Sequence, residues 1–310
     1  MMRLLLPDQL THGIALSNDG KTLFASTATE VLAWGYDAAT AEVDGDGGGS
    51  PRVIVNGMNG EGGHSTRTLL MARKAPDTLL VSQGSGGNHD PRARDLGSGI
   101  SQIRAFDLSA GLPDEPIRFS GSGSKSRLLG WGLRNSVGVA EDPSTGGIWS
   151  VENSVDDLYR DGADVHQDNP GEELNFHGFL ATGGSEEDED QATAGGNYGY
   201  PDCYAVWDNT TTGLDGLQVG DQFAPSSSSV TGDDACARDF VAPRLTWPAH
   251  TAPLDIKFAQ DGSEAFISFH GSCKFYLPFI TLCSFFSLGP APSIFLKKAN
   301  NGIPVPCPDY

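Results

Sequence analysis

Apolar and polar positions alternate along most of this chain in short runs, broken by Asp-Gly and Pro/Gly turns. From Leu10 the run L-T-H-G-I-A-L meets the turn S-N-D-G and then a second apolar run that ends at Thr27. Alternation with period two around a D-G turn predicts a β-hairpin. The form recurs from Thr68 to Ser85, from Ser136 to Asn153 and from Ala252 to Ser272. Further strands are expected at Val31 to Asp37, Ile100 to Leu108 and Pro243 to Trp247. No convincing amphipathic helix is present. Units of four short strands recurring every ~40–50 residues point to an all-β fold, a β-propeller. The copies are irregularly spaced, with inserted loops such as Asp156 to Asn169 and Thr182 to Gly196 filling the larger gaps. A β-sandwich is the architectural competitor, but repeated hairpins with long inserts on one side favour the propeller.

That reading changes how the polar residues are grouped. His12, His64 and the pair Arg134-Asn135 each precede or open a repeat. In a propeller the strand-start loops of successive blades meet over a central channel, so residues distant in sequence face one pocket. His64, in a Gly-rich loop, is either a structural histidine or a general base. Arg134 is either a surface cation or a partner for a carboxylate-bearing ligand, and Asn135 either caps a turn or joins it. Between Glu152 and Glu173 runs an acidic segment punctuated by Gly and Asn. It is either a solvated loop or an oxygen-rich Ca²⁺ site, without EF-hand spacing. The densest polar stretch, Gly130 to Pro201, therefore reads as a site held on a scaffold.

Charge narrows the partners. With 20 Lys+Arg against 40 Asp+Glu the formal charge is −20, which disfavours nucleic acid and anionic membrane as partners. Part of the excess lies in Gly183 to Gln191, expected to be a solvated acidic loop. Of the five cysteines, Cys203 and Cys236 flank a polar Ser/Thr-rich loop and form a plausible disulfide. No CxxC pattern supports zinc. Asn209-Thr210-Thr211 is a glycosylation sequon, and Met1 to Leu6 is too short an apolar run for a signal peptide. Nucleotide-binding fingerprints and a hydrolase nucleophile elbow are both missing.

The ordered runs G-H-S-T-R-T-L, G-L-R-N-S-V-G-V-A, V-E-N-S-V-D-D-L, G-E-E-L-N, N-Y-G-Y-P, A-P-L-D-I-K-F and S-F-H-G-S resemble the glucose/sorbosone dehydrogenase family. The likeness is greatest to its fungal secreted pyranose dehydrogenases, which use pyrroloquinoline quinone (PQQ). It covers about Leu10 to Ser272. The resemblance implies a six-bladed β-propeller with PQQ and Ca²⁺ over the channel, a sugar substrate and an external electron acceptor such as a cytochrome. It implies an extracellular location. It makes His64 the base that removes a sugar hydroxyl proton as hydride passes to the quinone. It gives Arg134 and Asn135 the quinone, with Arg134 also stabilising negative charge. Ser154 and Val155 match the loop whose carbonyls hold catalytic Ca²⁺, and Glu173 and Tyr198 match positions for a structural Ca²⁺. The bacterial branch differs by Gly-Pro at Ser154-Val155 and by Asp at Ser85.

Departures lie at the ends. After S-F-H-G-S comes the apolar stretch Lys274 to Leu296, without the hairpin pattern and broken by Pro278, Pro290 and Pro292. The division expected is a partial propeller of about four blades over 1–272 and a non-homologous tail over 273–310, with sugar oxidation expected to be impaired in a chain so shortened. Two other classes stay open: a non-catalytic propeller that binds carbohydrate or protein, and a Ca²⁺-dependent lactonase-like hydrolase.

Overall fold

The computed structural model describes residues 10–43, 50–121, 123, 125–181 and 195–271, and the backbone of the strands Leu282–Phe286 and Ser293–Lys297. Its strands assemble into four blades. Blade one runs Leu10–Leu16, Thr22–Thr27, Val31–Asp37 and Arg52–Asn56, with Ile117–Arg118 added in parallel outside. Blade two runs Leu69–Met71, Thr78–Gln83, Gln102–Asp107 and Ser126–Trp131, with Gly196–Asn197 parallel to its outer strand. Blade three runs Ser136–Glu141, Gly147–Glu152, Glu172–Phe179 and Leu245–Trp247. Blade four runs Pro253–Phe258, Glu264–Phe269, Leu282–Phe286 and Ser293–Lys297. Each of the four repeats read from the sequence is the inner hairpin of one blade. The fold is thus an all-β propeller of four described blades, with no closed sheet.

Blade packing explains why several strands read as continuous apolar runs. In Thr78–Gln83, Leu79 and Val81 enter a core shared with blade one, while Leu80 faces the opposite core shared with blade three. In Gly147–Glu152, Ile148 packs towards blade two, and Trp149 and Val151 pack towards blade four. A strand sandwiched between two blades buries both faces, so alternation is between two cores and not between core and water. The inner strands approach closely. A Cβ at Gly13 would lie 2.0 Å from the Arg67 carbonyl oxygen, and one at Gly138 would lie 2.7 Å from the Asp255 Cα. Only glycine fits at either contact.

A second kind of core lies in the long inserts. Val155, Leu158, Val165, Tyr200, Tyr204, Val206, Leu214 and Phe223 are buried together with Ala93 and Ile100. Two two-stranded ribbons and the seven-residue helix Asp233–Asp239 are its only regular elements besides short 3₁₀ turns, among the described residues. The Cys203–Cys236 disulfide joins the Tyr204 region to that helix, as expected from the sequence. Charge pairs complete it: Arg160 to Asp233 at 2.7 Å and Arg94 to Asp202 at 2.9 Å. This cap sits on blades two and three and carries much of the site.

The apolar stretch that lacked a hairpin pattern contributes strands. Leu282–Phe286 pairs with Glu264–Phe269, and Ser293–Lys297 pairs with Leu282–Phe286. Its apolar residues are contiguous, so period two is unreadable, while its aromatic and β-branched content suits a pleated backbone. The rest of the tail and the acidic segment Gly183 to Gln191 fall outside the described residues.

Candidate active site

His64 lies in the loop entering blade two, and Arg67 fixes that loop. The Arg67 guanidinium is almost fully buried and donates to the carbonyls of His64 (2.8 Å), Thr66 (2.7 Å), Ala28 (3.0 Å) and Asn59. The His64 Nδ1 lies 2.9 Å from Ser85 Oγ and 3.0 Å from the Ser85 carbonyl. Ser85 Oγ donates its own proton to the Gly87 carbonyl at 2.6 Å, so both groups facing Nδ1 act as acceptors. The proton therefore resides on Nδ1, and Nε2 keeps a free lone pair. Burial lowers the His64 pKa to about 4, assisted by the nearby Arg134 guanidinium. The ring is neutral at physiological pH, with one unprotonated nitrogen.

Arg134-Asn135 sits beside it at the mouth of blade three. The Ser85 N–H donates to the Arg134 carbonyl at 2.8 Å. A Cβ at Gly84 would meet Asn135 Oδ1 at 2.5 Å and His64 Cβ at 2.9 Å. A bare backbone at Gly84 is what lets the two walls converge. Both Arg134 and Asn135 are buried. The guanidinium donates through Nε to the Asn88 carbonyl (3.1 Å), through Nη2 to Asn88 Oδ1 (2.9 Å) and through Nη1 to the Asn153 carbonyl (3.1 Å). Three of its five N–H groups are thereby used. Asn88 is also hydrogen-bonded both ways to the backbone of Asp156, at 2.7 and 2.9 Å. One side chain ties the Gly-rich loop, Arg134 and the loop between the second and third strands of blade three together.

A cleft of about 180 Å³ opens on Arg134, Ser154, Val155, Glu172 and His250. The carbonyls of Ser154 and Val155 accept no hydrogen bond among the described residues. Glu172 is buried and accepts from the Ser154 N–H (2.7 Å) and the Ala252 N–H (3.0 Å). Burial raises its pKa to about 7. His250 Nδ1 lies 2.9 Å from Asp156 Oδ1, and its Nε2 lies 2.6 Å from the His166 carbonyl. Both ring nitrogens face acceptors, and Asp156 raises the His250 pKa. His250 (φ 63°) and Ala252 (φ 48°) adopt left-handed backbone, which is uncommon outside glycine and recurs at functional loops.

The implied groups fit this arrangement. Two bare carbonyls beside a buried carboxylate form a hard-oxygen donor set of the kind Ca²⁺ takes. Arg134 and His250 on one cleft suit a multiply anionic quinone. Glu173 is fully buried next to Glu152. Asn175 Nδ2 donates to both carboxylates at 3.1 Å, and Asn175 Oδ1 has no partner. Desolvation and the neighbouring carboxylate raise the Glu152 pKa, and desolvation raises that of Glu173 to about 7. A cation would relieve that pair. Tyr198 is anchored by different partners: its ring is 4.8 Å from His177, its hydroxyl donates to the Phe176 carbonyl, and its carbonyl accepts from Gln222 at 2.8 Å.

The structure thus brings His64, Arg134, Asn135, Ser154 and Val155 to one mouth, linked by Asn88. His12 lies exposed on the innermost strand of blade one and joins none of these bonds. Sequence reading missed Asn88, His250 and the support from Arg67. Asn88 ends the Gly-rich run G-S-G-G-N that follows a strand, and only that setting marks it. His250 is flanked by Pro248 and Pro253, and nothing in the pattern distinguishes it.

The chain is similar to known proteins over nearly all of its described length. The TrAA12-like family model matches residues 2–278. A PQQ-dependent sugar dehydrogenase of Hypocrea jecorina is 52% identical over 268 residues, which is 85% of this chain and 58% of the relative. The chain spans less than two thirds of that relative's length. A calcium structure of Trichoderma reesei carbohydrate-active enzyme family AA12 superposes with TM-score 0.83 at 46% identity, over 97% of this chain and 72% of that one. The holo PQQ domain of pyranose dehydrogenase from Coprinopsis cinerea superposes with TM-score 0.79 at 32% identity, over 96% and 73%. With the match running through all of the described site, this chain belongs to the TrAA12-like family.

Proposed function

We propose that this chain carries the quinone site of a secreted sugar dehydrogenase, which oxidises a pyranose or aldose hydroxyl with PQQ and Ca²⁺. The observation that carries the reading is His64. Its Nδ1 proton is held by Ser85 and its Nε2 is free. Its depressed pKa keeps the ring neutral beside an arginine. Arg134 and Asn135 would hold the quinone, the Arg134 guanidinium placing a positive charge beside it. Ser154 and Val155 would offer carbonyls to the catalytic Ca²⁺, and Glu173 and Tyr198 would take part in a structural one. Bound PQQ supplies the two-electron acceptor that no side chain provides. His64 Nε2 takes the proton of the sugar hydroxyl. An external acceptor, such as a cytochrome, would take up the electrons. The Cys203–Cys236 disulfide supports an oxidising, extracellular setting.

The test is to add PQQ and Ca²⁺ to the full chain and follow quinone binding by absorbance and dye reduction with a panel of pyranoses. Saturable binding and sugar-dependent reduction are expected. His64→Ala should lower turnover about 10²–10⁴-fold while leaving the melting temperature unchanged. Absence of quinone binding, or lactone hydrolysis without quinone, would overturn the reading.

A further inference from the structure

A second cavity lies beyond the Asn88–Asp156 bridge. It measures about 330 Å³, larger than the quinone-side cleft. Its floor is apolar, from Leu158, Pro91 and Pro201, and its side carries the ring of Tyr159, which is 52% exposed. An aromatic face left open above an apolar floor is what the C–H face of a pyranose ring covers well. Polar groups from His89, Asp157 and Ser226 also line it and could meet ring hydroxyls.

Charge decides which ligand chemistry fits. Arg94, also on the wall, is bidentate to Asp202 at 2.9 Å through both nitrogens. Asp90 is bidentate to Arg92 at 2.8 Å. Each strong charge is neutralised inside the protein, so a phosphate or carboxylate finds no free cation. The remaining carboxylate, Asp157, is an acceptor for hydroxyl protons. An uncharged polyol matches this balance and an anion does not.

Backbone geometry supports a built site. Asp157 has φ of 56°, a left-handed conformation, next to the Asp156 peptide that Asn88 clamps on both sides. Tyr159 opens a two-stranded ribbon whose turn residue Asp161 is also left-handed, and its carbonyl accepts from Ser226 at 2.9 Å. The Gly-rich loop serves both cavities. Asn88 holds Arg134 on one side, while the next residues, His89 and Asp90, line the other.

We infer that the Tyr159 cavity is a secondary subsite for a neutral pyranose unit, so the protein engages saccharides longer than one ring. The inference rests on the sugar-dehydrogenase reading for its choice of ligand, but the subsite itself needs no quinone. Cellobiose and cellotriose are titrated into the full chain without PQQ, with binding read by calorimetry and by saturation-transfer NMR. Millimolar affinity is expected, on the order of 4 kcal/mol. Tyr159→Ala should weaken it about tenfold, and Tyr159→Phe should stay within about twofold, since the ring face and not the hydroxyl makes the contact. Ser226→Trp, which fills the cavity, should abolish the signal even if Tyr159→Ala folds poorly. Glucose 1-phosphate should bind no better than glucose. Oligosaccharide affinity unchanged by Ser226→Trp, or no binding at about tens of millimolar, overturns the subsite. Quinone binding on the same preparation separates the two readings. Quinone uptake without saccharide binding leaves the dehydrogenase and removes the subsite, and the reverse leaves the subsite alone.

Discussion

The blades and the cap above them solve the same problem in opposite ways. Each blade is a meander of neighbouring strands whose side chains fall into two shared cores, as Leu79, Leu80 and Val81 do. The cap has no sheet wider than two strands, among the described residues. It is held by a small core around Tyr204 and Phe223, one disulfide, and arginine–carboxylate pairs. The blades gain stability from repetition and carry the inner walls. The cap surrenders regularity, and in exchange sets Asn88, Asp156, Glu172 and Arg134 at hydrogen-bonding distance of one another's loops. Damage to a blade should therefore spread through the molecule, while damage to the cap should stay local.

The largest effect should come from the blades. Phe106 is fully buried in the core between blades one and two, 5.9 Å from Phe119. Phe106→Ala should cost about 3–5 kcal/mol. Denaturant melts followed by far-ultraviolet dichroism and by tryptophan fluorescence should shift together. A shift in only one signal would mean that the blades do not unfold as one unit. Next comes the cap. The paired change Cys203→Ser with Cys236→Ser removes a cross-link spanning 33 residues and should cost about 2–4 kcal/mol. Limited proteolysis should then cut between residues 203 and 236 before any blade strand. Cleavage appearing first in blade three would contradict the division into two regions.

A smaller and more specific effect is expected at the bridge. Asn88→Ala removes the side-chain contacts to Arg134 Nη2 and to both backbone groups of Asp156. The loss is worth about 1–3 kcal/mol. It should appear as roughly tenfold weaker quinone binding with a melting temperature close to that of the wild type. Equal losses in melting temperature and binding would make Asn88 a mere structural staple.

This division also marks what the sequence makes legible. The four inner hairpins are visible because a turn rich in Asp, Gly or Pro between two apolar runs announces each locally, with D-G itself in the first and fourth. His64 and Arg134-Asn135 are visible because they recur at equivalent places in that repeat. The hard-oxygen loop at Ser154-Val155 is recognisable only by resemblance, since backbone carbonyls leave no mark on residue type. His250 and Asn88 stay hidden for a related reason. Their roles come from loops that approach each other across 94 and 68 residues. No local period reports such contacts. The tail strand Leu282–Phe286 is hidden in the opposite sense, because contiguous apolar residues suit a strand and a buried helix segment equally.

The smallest effect is at Ser85, and it sharpens what holds the base. Ser85 offers His64 two acceptors, its hydroxyl and its carbonyl. Ser85→Ala removes only the first, so the proton stays on Nδ1 and Nε2 stays free. Turnover should fall about threefold, under 1 kcal/mol. The pH profile carries the stronger information. The His64 pKa is lowered from 6.5 to about 4, chiefly by burial. Above about 4 the imidazole is neutral and can accept a proton, so the rate should not decline at pH 6 on account of this group. Below it the rate should fall tenfold per pH unit, until other groups unfold the chain. The same shift favours the folded state above pH 6.5. As pH falls from 6.5 towards 4, the unfolded chain takes up the proton first and that contribution is lost. An acid limb centred near 6.5 in the wild type would place the base in water. An unchanged limb in Ser85→Ala would assign the low pKa to the buried loop that Arg67 holds, and not to the serine hydroxyl.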